Sequence, residues 1–167
     1  MANDPITAAL QKIPYGVHIV TSLKDGDELT TRSQDWVSAS TISWVMQVSL
    51  EPNLIAVAVQ KDANLSETIQ RSQNFCVHLL GEGDRALIDD FDGPADFTDE
   101  QVNGLKFEKG QTGAPILDRG VGYLECKLAD AHTLEGDHML FIGEVVAARA
   151  AEGAALQLED TQYEYGG

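Results

Sequence analysis

The sequence predicts a mainly β domain, an antiparallel barrel carrying two or three short helical insertions, on three observations. Six or seven segments of strand length, rich in β-branched and aromatic residues, follow one another at close spacing with Gly, Pro, Asn and Asp between them. Only short stretches show helical periodicity. Neither G-x-G-x-x-G nor G-x-x-x-x-G-K-S/T occurs, so a doubly wound parallel sheet with a Rossmann or P-loop site is unsupported. The 167 residues suit a single core, and a chain of this size folds without a disulfide or structural metal.

The elements read in order as follows. Asp4 before Pro5 is a helix N-cap, and Ile6, Ala9, Leu10 and Ile13 recur at helical spacing, which predicts a short docking or lid helix. Tyr15 to Ser22 reads as a strand, 24–27 as a turn, and a partner strand is expected from Glu28 through Thr31. Residues 38–43 (SASTIS) read as a hydroxyl-rich loop leading into a strand from Trp44 to Leu50, which Glu51-Pro52-Asn53 ends. Leu54 to Val59 is a further strand, Ala63 to Arg71 a helix, and Phe75 to Leu80 a strand. Gly81 to Asp84 opens a helix through Ile88 to Phe91. The next two dozen residues form a long acidic excursion, with a helix expected near Asp99 to Val102. Two long strands, Gly120 to Ala131 and Met139 to Arg149, flank a loop that holds His132 and His138, and the strip from Leu156 to Tyr165 alternates weakly.

Charge excludes several function classes. Eleven Lys and Arg stand against 27 Asp and Glu, a net charge of −16. Such a surface repels nucleic acid and anionic membranes, whose binding rests on Lys and Arg. A small anion is not excluded, because local donors outweigh a screened field. The carboxylates are scattered, which suits solubility or a salty habitat. Cys76 and Cys126 sit in apolar runs and read as core residues. The N-terminus lacks a basic start and an apolar stretch, so neither a signal peptide nor a membrane span is expected, and the location is read as cytoplasmic.

Two segments could carry chemistry. Ser38, Ser40, Thr41 and Ser43 offer donors for a phosphate, though hydroxyls also fill ordinary turns. Gln60, Lys61, Asn64, Ser66 and Thr68 surround a strand end and helix start, suited to an anion or to simple capping. His18 and His78 lie among apolar residues and read as structural imidazoles. No tight Cys or His cluster suggests a metal, and no G-x-S-x-G suggests a hydrolase.

Taken together the pieces resemble the flavin reductase-like, FMN-binding split-barrel family over nearly the whole chain. Tyr15-Gly16-Val17-His18-Ile19-Val20-Thr21 is similar to its opening strand, and Thr41 through Pro52 to its flavin-binding loop and following strand. Phe75 to Leu80 resembles its F-x-V-N-x-L strand, with His78 in the Asn position. Gly113-Ala114-Pro115-Ile116-Leu117 resembles its G-x-P-x-L turn, Leu124-Glu125-Cys126 its L-E-C strand, and Gly136-Asp137-His138 with Ile142-Gly143-Glu144-Val145 its G-D-H loop and I-G-E-V strand. The stretches 43–49 and 56–62 look most like the reductase modules fused to flavodiiron proteins.

The resemblance implies a six-stranded antiparallel Greek-key split barrel that forms a homodimer, with FMN, or FAD, near the subunit interface. It further implies that Thr41, Ser43 and the backbone of Trp44, Val45 and Met46 hold the phosphate and one ring edge. Gln60, Lys61, Asn64, Ser66 and Thr68 would close the phosphate side, and His138 would position the nicotinamide or cap the ring. The activity implied is hydride transfer from NADH or NADPH to flavin N5, with a redox protein or an oxygenase as electron acceptor. Two other readings stay open: a flavin-bearing electron carrier reduced by a protein partner, and a barrel without flavin.

Overall fold

The computed structural model describes residues 4–25 and 36–166. Helix α1 (Pro5–Leu10) starts as expected, with the Asp4 carboxylate accepting from the Thr7 N–H at 3.3 Å. The principal strands are β1 (His18–Lys24), β2 (Trp36–Ile42), β3 (Val45–Leu50), β4 (Asn53–Gln60), β5 (Asn74–Leu79), β9 (Gly122–Thr133) and β10 (His138–Ala150). Between β4 and β5 lies α2 (Asn64–Ser72), and α3 (Leu87–Asp90) follows a 3-10 turn at Glu82–Asp84. The strand expected from Glu28 lies outside the described residues.

All pairings are antiparallel, in the order β2-β1-β5-β9-β10-β4-β3. The two edges of this sheet, β2 and β3, are consecutive in the chain and separated only by Ser43 and Trp44. One bent run therefore pairs with β1 over its first half and with β4 over its second, so the seven segments make six staves of a split barrel.

Residues 38–43, expected as a loop, are mostly strand. Ser and Thr compete with backbone ladders when isolated, but here β2 pairs with β1 without a break from Lys24↔Trp36 to His18↔Ile42. Inward hydroxyls find partners: Ser38 Oγ lies 2.7 Å from Thr68 Oγ1. The helix expected near Asp99 is also absent. Strands β6 (Gln101–Val102), β7 (Leu105–Lys109) and β8 (Pro115–Leu117) form a small second sheet. The signal for it was Asn103-Gly104: both adopt positive φ (48° and 79°), the two-residue hairpin geometry, and Val102 pairs with Leu105.

β1 is buried on both sides. Val17, Ile19 and Leu23 join a core with Leu80, Phe91 and Leu117, whereas Val20 joins Val57, Ile69, Phe75 and Phe141. The thiols of Cys76 and Cys126 are buried, and desolvation raises both above the ordinary range, Cys126 to about 12. The small sheet is tied to the barrel by Glu125, which is 1% exposed and accepts from both the N–H and the hydroxyl of Thr112 at 2.7 Å. Gly143 marks a shift in the β9–β10 register, where a Cβ would stand 2.4 Å from the Phe75 ring. No helix among the described residues is long and apolar enough to cross a membrane.

His78 is fully buried, with Nδ1–H donating to the Ile19 carbonyl and the Leu117 N–H donating to Nε2, both at 2.9 Å. Both ring positions are thus committed to the neutral form, and burial lowers its pKa to about 4, the Ile19 bond opposing. The unfolded chain binds this proton at the ordinary imidazole value of 6.5 while the folded chain does not until about 4. Stability is therefore full above pH 6.5 and falls with pH across that window, by about 3 kcal/mol in total. Burial lowers His18 as well. Urea unfolding from pH 8 to pH 4 is expected to show this slope, and His78→Asn should flatten it, leaving the contribution of His18 and, toward pH 4, of carboxylates such as Asp137. An unchanged slope in the variant would place the proton elsewhere.

Candidate functional site

The bend between β2 and β3 opens one wall of a cavity of about 500 Å³. Its other walls are the end of β4, the first turn of α2, the segment from Ile88 to Ala95, and the C-terminal stretch around Tyr163 to Tyr165. Of the residues singled out in the sequence, Ser38, Ser40, Thr41, Ser43, Trp44, Gln60, Asn64 and His138 line it. Val45, Met46, Lys61, Ser66 and Thr68 do not.

Each departure has a local cause. Ser66 and Thr68 are buried under α2, where Ser66 Oγ donates to Met139 Sδ at 3.4 Å and Thr68 donates to the Asn64 carbonyl at 2.9 Å. Val45 packs against the core, and Met46 faces outward on β3, 64% exposed. Lys61 points to the β9–β10 loop: its N–H donates to the Asp137 carbonyl at 2.9 Å and its Nζ to the Leu134 carbonyl at 2.5 Å. Thr41 lines the cavity but its hydroxyl is spent on the Ile88 carbonyl at 3.0 Å and its N–H on Phe91 at 3.1 Å, which leaves Ser40 and Ser43 as lining hydroxyls.

Part of the cavity lining is an aromatic cluster. The Trp44 ring lies 4.6 Å from His138, 5.0 Å from Tyr165 and 6.3 Å from Tyr15. His138 begins β10 opposite Gln60 and is almost wholly buried. Its Nδ1–H donates to Asp137 Oδ1 at 2.6 Å, which leaves Nε2 to accept from the Tyr165 hydroxyl at 2.9 Å. That bond holds the Asp137 carboxyl below its ordinary range. Burial holds the Tyr165 phenol above its own, the Asp137 charge adding to the effect and Gln60 opposing it. Tyr163 and Tyr165 were not anticipated as site residues. Two tyrosines in an otherwise irregular tail were the available signal.

Much of the remaining lining is polar. Asp62, Asp89, Asp92 and Glu164 belong to it, with no Lys or Arg among the described lining residues. The first turn of α2 enters here through Ala63, Asn64 and Leu65, and no side chain caps it. Anion binding on this wall must draw on N–H and O–H donors. Among the described residues no group of His, Cys, Asp and Glu is placed to hold a metal.

Comparison with known proteins gives a consistent picture. The family model for the flavin reductase like domain matches residues 10–167. Diflavin flavoprotein A 1 of Synechocystis is 28% identical over 159 residues, 92% of this chain and 25% of that protein. This chain thus spans about a quarter of the length of the diflavin relatives it matches. The FMN reductase (NADH) RutF of Pseudomonas syringae is 29% identical over 126 residues, 75% of this chain and 70% of that one. The solved structure of the NADH:FAD oxidoreductase SgcE6 of Streptomyces globisporus superposes with a TM-score of 0.68 at 27% identity, covering 86% of this chain and 81% of that chain.

Because Thr41 pins the Ile88 to Phe91 wall to β2, Thr41→Val should destabilise the fold by about 1–2 kcal/mol, leaving a carbonyl without its partner. Urea unfolding at neutral pH checks this, and stability equal to the parent's would mean the wall is held by packing alone.

Proposed function

The chain belongs to the flavin reductase like domain family, and we propose that it is an FMN-dependent oxidoreductase that takes a hydride from NADH or NADPH. The observation that carries this reading is one cavity whose lining joins an aromatic cluster, Trp44, His138 and Tyr165, to donors at Ser40, Ser43 and the uncapped turn of α2. FMN has the same polarity, a planar ring joined to a phosphate, and about 500 Å³ is in the range of small-molecule sites.

The residues present fit that group. Trp44 would border the ring. Ser43 and the first-turn N–H groups of α2 would take the phosphate, with donors in place of a lining cation. FMN, once bound, supplies hydride acceptance and onward electron transfer. The chain supplies orientation and exclusion of water. His138 serves as a positioning group: Asp137 fixes its tautomer, and Lys61 braces the loop behind it by two bonds to 134 and 137.

A homodimer belongs to the same reading. On β3 the side chains of Met46, Val48 and Leu50 are exposed, Leu50 by 82%, an apolar edge that a second copy would cover. The electron acceptor is a redox protein or an oxygenase. An electron carrier reduced by a partner protein is the second reading, favoured by the match to a quarter of the larger diflavin proteins and by the acidic surface, which suits docking through charge.

Purified protein mixed with FMN and then with NADH or NADPH under anaerobic conditions should lose the visible flavin band. Bound flavin that neither nucleotide bleaches would leave the carrier reading, and failure to bind FMN would end both. In the reductase, His138→Ala should raise the KM for the nicotinamide nucleotide about tenfold with a smaller change in FMN affinity. A KM, kcat and FMN affinity all equal to the parent's would remove His138 from the site.

A further inference from the structure

We propose that the Trp44 indole N–H and His138 Nε2 together form a receptor for a planar amide edge, a carbonyl beside an N–H, and that Tyr165 and Gly166 are a strap that lifts to admit it. This rests on the reading of the cavity as a nucleotide site. Either the ring imide of FMN or the carboxamide of the nicotinamide has the required edge.

The starting observation is an omission. Trp44 Nε1 is buried with no hydrogen-bond partner among the described residues, and no other buried side-chain nitrogen or oxygen there shares that condition. Buried donors are rarely left unpaired, because each loses its bonds to water with nothing in return. Elsewhere in this fold the rule is kept, as His78, Glu125 and the Ser38–Thr68 pair show.

The cover over Trp44 is thin. The Tyr165 ring meets it edge-on at 5.0 Å, and Gly166 lies so close that an added Cβ would stand 3.7 Å from Nε1. Gly166 has φ of +100°, a conformation in which a side chain is strained, so a residue without one suits this position. The strap belongs to no helix or strand, Tyr165 is 38% exposed, and its hydroxyl is held by His138 Nε2 with Gln60 beside it.

Lifting the strap uncovers two groups of opposite kind on touching rings. Trp44 offers a donor. His138, with Nδ1–H committed to Asp137, offers an acceptor. The ring centroids are 4.6 Å apart, so donor and acceptor rings stand side by side. A carbonyl alone would satisfy only Trp44, and a hydrocarbon ring neither. Tyr165 holds the acceptor while the strap is down, so ligand and strap compete for His138.

Two changes test this, Trp44→Phe, which keeps a ring and removes the N–H, and a chain ending at Glu164. Without nucleotide, Trp44→Phe should melt at the same temperature or a few degrees higher, since an unpaired donor is gone. FMN affinity is read by quenching of flavin fluorescence, and NAD⁺ affinity by titration of the FMN-loaded protein. Trp44→Phe should weaken one of the two about tenfold, FMN if the edge is the imide and NAD⁺ if it is the carboxamide. The chain ending at Glu164 should bind the same nucleotide more tightly than the parent. Affinities within twofold of the parent in Trp44→Phe, or weaker binding of both nucleotides by the shortened chain, would overturn the proposal. A parent that binds neither nucleotide overturns it together with the functional reading.

Discussion

The structure turns on a break in pairing at Ser43 and Trp44. Before it, the chain is hydrogen-bonded to β1, and after it to β4. A strand can change partners only where its ladder is interrupted, and here the interruption is held from both sides: Val45 N–H bonds back to the Ser43 carbonyl at 3.1 Å, and the Ala58 N–H takes the Trp44 carbonyl at 3.0 Å. The same bend closes the barrel, spreads β2 from the end of β4, and turns the Trp44 ring into the gap. Barrel closure and cavity are one event.

Around that gap the lining offers dipoles and no positive side chain among the described residues. A net charge of −16 and four lining carboxylates make the cavity a poor place for an anion by Coulomb attraction. Hydroxyls and N–H groups aimed at one spot can still hold a phosphate, because they are oriented beforehand and need no counter-charge. Lys61, the cation nearest in sequence, is used to brace the loop that carries His138.

Several motifs of the resemblance acquire physical meaning in the fold. The Glu of L-E-C, Glu125, is a buried carboxylate that closes the turn ending at Gly113, whose φ of +88° only glycine takes readily. Asn74 joins this clasp, its Nδ2 donating to both Leu23 and Thr112 carbonyls at 3.0 Å. The Gly of I-G-E-V, Gly143, makes room for Phe75. His78, in an Asn position, keeps a donor and an acceptor in place and adds a titrating group.

How much of this was legible beforehand depended on range. The Asp4 cap, helix α2, and the strands at β1, β4, β5, β9 and β10 were readable, since local propensity and motif spacing are written in adjacent residues. Asn103-Gly104 carries an equally local hairpin signal. What adjacent residues could not say was the use of each hydroxyl. SASTIS became strand because β1 lay beside it, Thr41 was drawn to Ile88, and Ser66 and Thr68 were taken into the core by partners 30 or more residues away. The covering of Trp44 by Tyr165 brings together positions 121 apart in sequence. The sequence by itself determined the elements and the kinds of chemistry available. Only the tertiary structure decided which donors remained for a ligand, because a hydrogen bond goes to the partner that folding brings near.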